Sequence, residues 1–93
     1  AGAQMLVLEA IPSTLGEMIT KSLRIPTIGI GAGPNCSGQV LVLPDMLGIS
    51  PGKPPKFVKD FMADHSSIDA AIKAYVKEVK SGKFPGPEHS FAS

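Results

Sequence analysis

Glu9 closes an apolar run, Met5-Leu6-Val7-Leu8, and Pro12 follows three positions later. Four consecutive apolar residues predict a strand buried on both faces, as in parallel sheets. A carboxylate at the end of such a strand is costly to bury unless it has a partner or a task. In barrels of alternating strands and helices, chemistry sits at the carboxyl ends of the strands. Glu9 is therefore the leading candidate for a catalytic residue. A carboxylate so placed serves as a base when an apolar setting raises its proton affinity, and Leu6, Leu8 and Ile11 are expected to provide that setting. The competing reading makes Glu9 a structural carboxylate that caps a backbone group or pairs with a neighbouring strand.

The other chemistry-bearing residues carry weaker signals. Gly29, Gly31 and Gly33 invite a phosphate-loop reading, but their spacing matches neither the dinucleotide nor the Walker pattern. They are expected to allow close packing at a strand end and its turn. Asp45 has no His or carboxylate at ligand spacing and reads as a surface or helix-end residue. His65 and His89 lack a paired His or Cys and read as structural or exposed. Glu88-His89-Ser90 are adjacent on an extended tail and point in different directions, which forbids the relay geometry of a triad. Nothing near Cys36 would lower the pKa of its thiol.

The elements that must position Glu9 are strand–helix units. Residues 4–9 form the first strand. Thr14 and Glu17 form a capping-box pair, and Leu15, Met18, Ile19 and Leu23 share one helical stripe. Pro26 ends that helix, with Arg24 in its last turn. Residues 27–31 form a second short strand with a flexible exit through Asn35. Val and Leu in 37–43 suggest a strand, yet a parallel crossover needs a dozen or so residues. Residues 37–47 are therefore read as a helix, with Ser37 as N-cap, Gly48 as stop and Pro44 as a kink. Residues 51–55 form a loop, and 56–61 form either a third strand or a helical turn. Ser66 and Asp69 cap a last helix whose Ile68, Ile72, Tyr75, Val76 and Val79 line one face up to Gly82. A Pro- and Gly-rich tail follows from Phe84 to Ser93.

Ninety-three residues make one small domain at most. A hydrophobic fraction of 43% with 18% charge is globular, not disordered. The net charge of +1 argues against a nucleic-acid partner. Most basic residues lie between Lys53 and Lys83, interleaved with Asp60, Asp64, Asp69 and Glu78, as on a solvated surface. A single cysteine excludes an internal disulfide framework and fits a reducing compartment. No apolar stretch is long enough for a membrane span. The opening Ala-Gly-Ala-Gln has neither a basic region nor a start methionine, which suggests a piece of a longer chain. Three strands cannot close a barrel and leave two open edges, so the missing strands must come from elsewhere.

Five blocks in order carry a resemblance. They are Ala3–Pro12, Ile25–Gly33, Ser37–Gly48, Pro55–Lys59 and Phe84–Phe91. Together they resemble the C-terminal third of the ketopantoate hydroxymethyltransferase (3-methyl-2-oxobutanoate hydroxymethyltransferase) family, across nearly all 93 residues. The resemblance implies an α/β fold, the C-terminal part of a (β/α)8 TIM barrel of the phosphoenolpyruvate/pyruvate type. Residues 1–93 would be the last strand–helix units of that one barrel, incomplete alone. It implies hydroxymethyl transfer from 5,10-methylenetetrahydrofolate to 2-oxoisovalerate, giving ketopantoate for pantothenate synthesis. It also implies a magnesium ion that holds the keto acid, with ligands on strands outside this chain, and a proton-accepting glutamate whose motif position Glu9 matches. A homo-oligomer is implied, commonly a decamer, in the cytoplasm of bacteria or the mitochondria of some eukaryotes. Pro44 departs from the family, whose members often carry His before the Asp. Two alternatives stand beside this: an isolated fragment that self-associates without activity, and another magnesium-dependent 2-oxo-acid lyase or transferase of the same superfamily.

Overall fold

The computed structural model describes residues 2–92, so Ala1 and the tail's last residue, Ser93, lie outside the described residues. Its elements are β1 (Leu6–Glu9), α1 (Ser13–Ser22), β2 (Thr27–Ile30), β3 (Gly38–Gln39), α2 (Leu43–Met46) and α3 (Ile68–Ser81), with a 3-10 turn over Pro87–His89. The strands form one parallel sheet in the order β1-β2-β3, an α/β arrangement as expected. β1 and β3 are its two edges.

The register of β1 on β2 runs from Leu6 opposite Thr27 to Glu9 opposite Ile30. Side chains alternate between faces along a strand. Leu6, Leu8, Thr27 and Gly29 thus share one face. The Thr20 hydroxyl of α1 meets Thr27 there, Oγ1 to Oγ1, at 2.7 Å, so this is the face that α1 covers. Val7, Glu9, Ile28 and Ile30 share the other. The expectation that β1 is buried on both faces is not met: Leu8 is buried, but Met5 is 57% and Val7 58% exposed.

Thr27 is a fully buried polar residue, and its partners explain the next part of the chain. Its N–H donates to the Ser37 hydroxyl at 3.0 Å, and the Ser37 N–H donates back to its Oγ1 at 3.1 Å. This exchange brings residue 37 alongside the start of β2 and sets β3 beside it. Residues 37–47 are therefore not one helix. The crossover argument fails because the chain doubles back through 31–37 and makes the parallel connection without a helix. α2 starts only at Leu43, so Pro44 lies in its first turn, where the missing N–H has no intrahelical partner to lose.

Helix starts also depart from the sequence expectation. α1 begins at Ser13 after Pro12, with no side-chain cap. The Ser13 N–H instead donates to the Phe91 carbonyl of the tail at 2.9 Å, so a tertiary bond takes one of the donors a helix start leaves open. Glu17, freed from capping, pairs with Lys21 at 2.9 Å on the surface. α1 stops at Ser22, which puts Lys21 rather than Arg24 in its last turn. At α3 the cap is Ser67, one residue later than expected, and its hydroxyl accepts from the Ala70 N–H at 3.1 Å. Gly82 ends α3 in the left-handed conformation, as the sequence indicates.

The main core lies between α2, α3 and the tail. It contains Leu41, Met46, Leu47, Phe61, Ala71 and Phe84. Segment 56–62 forms turns, not a strand. It delivers Phe61 into this core, where the Phe61 N–H bonds the Met46 carbonyl at 2.9 Å. Phe61 meets Tyr75 and Phe84 edge-to-face, each at 5.4 Å between ring centres. α3 turns Ala71, Ala74, Tyr75 and Val79 inward. Ile68, Ile72 and Val76, expected on that face, form an exposed ridge instead. Among the described residues, no helix is long and apolar enough to cross a membrane.

Two predictions follow from this packing. Gly16 lies in α1 where an added Cβ would strike the Ala32 carbonyl oxygen. Gly16→Ala gains about 1 kcal/mol of helix propensity but loses more to the backbone overlap, whose cost is about 1–3 kcal/mol. A lower urea midpoint is expected; a raised one would mean that α1 does not seat on residue 32. Tyr75 places its hydroxyl in the core without a hydrogen-bond partner among the described residues. Tyr75→Phe should gain about 1 kcal/mol. Burial also raises the Tyr75 pKa above 10.0, so the native state favours the neutral phenol. Its contribution is present below pH 10 and lost as pH rises through the folded value. The stability gap between Tyr75→Phe and wild type should therefore widen in alkaline titration.

Candidate active site

Glu9 sits at the carboxyl end of β1 and is exposed. It takes part in none of the ion pairs among the described residues. Leu6 and Leu8 do not furnish its apolar setting as expected, because they point to the α1-covered face. The neighbours on its own face are Val7 on β1 and, across the register, Ile28 and Ile30 of β2, both half-buried. The carboxylate thus stands on the sheet face that α1 leaves open, above two isoleucines.

The residue after Glu9 carries backbone strain. Ala10 has φ = 50°, and it is the non-glycine residue with positive φ among the described residues. That conformation costs an L-residue with a Cβ about 1–2 kcal/mol. It persists because the flanks are tied. The Ala10 N–H donates to the Ile30 carbonyl at 2.9 Å, which extends the β1–β2 ladder by one residue. Two residues on, Pro12 bridges Phe91 in parallel, and the Ser13 N–H holds the Phe91 carbonyl. The Phe91 ring packs edge-to-face on Phe57 at 6.5 Å, with the Lys56 ammonium 5.7 Å above it. Phe57 in turn lies over Gly31, just past β2, where φ = 70° and the Phe57 ring leave no room for a side chain. Strand ends, turn and tail therefore meet at one end of the sheet.

The tail reaches this place through a small fold of its own. The Gly86 N–H donates to the His89 Nδ1 at 3.1 Å. An accepting Nδ1 is unprotonated, so the 3.3 Å approach of Glu88 to the same nitrogen is not an ion pair in this state. Burial is the main cause that lowers the His89 pKa, with Lys59 adding to it and Glu88 and Glu78 opposing. His89 is structural, packed 5.0 Å from the Phe84 ring. Glu88, His89 and Ser90 make no triad, since the Ser90 hydroxyl bonds the Gly86 carbonyl.

The remaining candidates make structural contacts. Asp45 is in the first turn of α2, accepts from the Ser50 hydroxyl at 2.6 Å, and lines a cavity of about 220 Å³ with Asp60. His65 bonds the Phe61 carbonyl at 2.9 Å through its ring nitrogen. Gly29, Gly31 and Gly33 abut Cys36, Phe57 and Ser13, the close packing expected of them. Cys36 is half-buried and free. No group of three or more His, Cys, Asp or Glu among the described residues could hold a metal ion. Sequence reasoning missed Ala10, Ile28, Ile30, Phe57 and Phe91. Period-two alternation would have removed Leu8 from the face of Glu9; the tail contact has no local signal.

Comparison with known proteins fits this arrangement into a family. The family described as ketopantoate hydroxymethyltransferase matches residues 1–87. A 3-methyl-2-oxobutanoate hydroxymethyltransferase of Paraburkholderia phymatum is 69% identical over 91 residues, covering 98% of this chain and 34% of that protein. The Burkholderia multivorans protein of the same name is 67% identical over the same span and shares. A second form from Burkholderia lata, numbered 2 in its name, is 65% identical, again over 98% and 34%. The chain thus spans about a third of the length of the curated relatives it matches. With the match running from before β1 into the tail, the chain belongs to the ketopantoate hydroxymethyltransferase family.

Proposed function

We propose that this chain is the C-terminal part of an enzyme that transfers a hydroxymethyl group from 5,10-methylenetetrahydrofolate to 2-oxoisovalerate, giving ketopantoate for pantothenate synthesis. Glu9 is its base. It takes the proton from C3 of the keto acid. Water opens the 5,10-methylene bridge, both C–N bonds breaking to release tetrahydrofolate and a formaldehyde-level carbon that keeps the water's oxygen. The C3 carbanion adds to that carbon, the new alkoxide recovering a proton to become the hydroxymethyl group. The observation that carries this reading is the position of Glu9: at a strand's carboxyl end, on the open face, beside Ile28 and Ile30 and before a strained turn. Strand β2 would supply an apolar wall, Ile28 and Ile30, beside the carboxylate once the open face is covered.

The covering strands would belong to a (β/α)8 barrel of the phosphoenolpyruvate/pyruvate type. Two unpaired edges and the span of about a third of the relatives' length support that reading. The magnesium that the family reading implies would find no ligand set among the described residues. Homo-oligomeric assembly has one support in this chain, the exposed ridge Ile68, Ile72 and Val76 on α3. A cytoplasmic location follows from the family reading alone. The 93 residues by themselves are expected to self-associate through their open edges and to be inactive.

The test uses a full-length Paraburkholderia phymatum relative with this chain grafted over its matching 91 residues. Glu9→Gln should slow deuterium exchange at C3 of 2-oxoisovalerate at least about 100-fold, with keto-acid binding retained. Exchange at the unmodified graft's rate would remove Glu9 from the role.

A further inference from the structure

We infer that Phe91 is a positioning residue for Glu9, acting as a tail strap that locks the strained Glu9-Ala10-Ile11-Pro12 turn. This deepens the proposed function and rests on Glu9 being its base. Four observations converge on it. Ala10 stands in a left-handed conformation directly after Glu9. Such a conformation survives only where surrounding contacts over-determine it. The upstream contact is the Ala10 N–H on the Ile30 carbonyl, which comes from the sheet itself. The downstream contacts at Pro12 and Ser13 come from Phe91, about eighty residues away in sequence and otherwise unneeded by the sheet.

The strap is itself held at both levels. Its backbone carbonyl caps the start of α1, taking the place of a capping side chain. Its ring is fixed by Phe57 and Lys56, and Phe57 is fixed over Gly31 at the end of β2. Phe91 therefore ties the exit of β2 to the exit of β1. Without it, the turn keeps one anchor, and the direction of the Glu9 side chain is no longer set from both sides. A carboxylate that must meet a particular C–H bond loses rate from such freedom, not substrate affinity.

The test is a stop at position 91 in the same grafted protein, which removes the carbonyl and the ring together, with Phe91→Tyr as the variant that restores both. The truncation should lower kcat for C3 exchange at least tenfold with KM within twofold, and the Ser13 amide should lose hydrogen-exchange protection. Phe91→Tyr should recover the unmodified rate. An unchanged kcat in the truncated protein, beside an inactive Glu9→Gln, would overturn the positioning role and leave the base assignment standing. A matched fall in activity and melting temperature with Ser13 still protected would also overturn it. An active Glu9→Gln would overturn the base assignment, while Ser13 protection reports the strap without reference to Glu9.

Discussion

Pairing β1 against β2 in a single register, Leu6 on Thr27 through Glu9 on Ile30, decides where every side chain of both strands points. A slip of one residue would exchange the two faces. Glu9 would then lie beneath α1, and Leu8 would stand in its place on the open face. Thr27 ties β2 to its other neighbours. It is buried, and its polar atoms are met by Thr20 on α1 and by Ser37 on the loop into β3. Displacing it would leave a hydroxyl and an amide unpaired in the interior, at a cost of about 1–3 kcal/mol for each such group.

The second organising contact is the tail. A chain of this size has little apolar surface to bury, and here it builds its main core from the C-terminal half: Phe61, Ala71 and Phe84 packed with Leu41, Met46 and Leu47. The sheet with Glu9 lies outside that cluster. Phe91 and Phe57 join the two, from the core's turns to the strand ends at β1 and β2. The strand end that carries Glu9 is thereby braced by residues of the other half. The sheet's open face and its two edges, β1 and β3, stay uncovered among the described residues.

β1, β2, the last helix and the place of Glu9 at a strand end were legible because each has a local cause: an apolar run, a Ser cap with a Gly stop, a run that ends in a carboxylate. Residues 37–47 were misread because length was weighed over composition. Val40 and Leu41 favoured an extended chain, and the Thr27–Ser37 exchange lets a short loop make the crossover. The capping box at Thr14 and Glu17 was a sound local pattern, overridden by a carbonyl from residue 91. The face of α3 was right at Tyr75 and Val79 and wrong at Ile68, Ile72 and Val76, because the small Ala71 and Ala74 take the inward places beside the core. Neither choice is written in the helix's own periodicity.

In the proposed reaction, Glu9 faces the reacting carbon from the open side of the sheet. The most direct measurement is a crystal structure of the full-length grafted protein with 2-oxoisovalerate bound. The Glu9 carboxylate should lie about 3–3.5 Å from C3, on the same face as Ile28 and Ile30, with Phe91 still bridging Pro12. A keto acid bound on the α1-covered face, or a Glu9 carboxylate paired with a neighbouring strand and turned from C3, would contradict it.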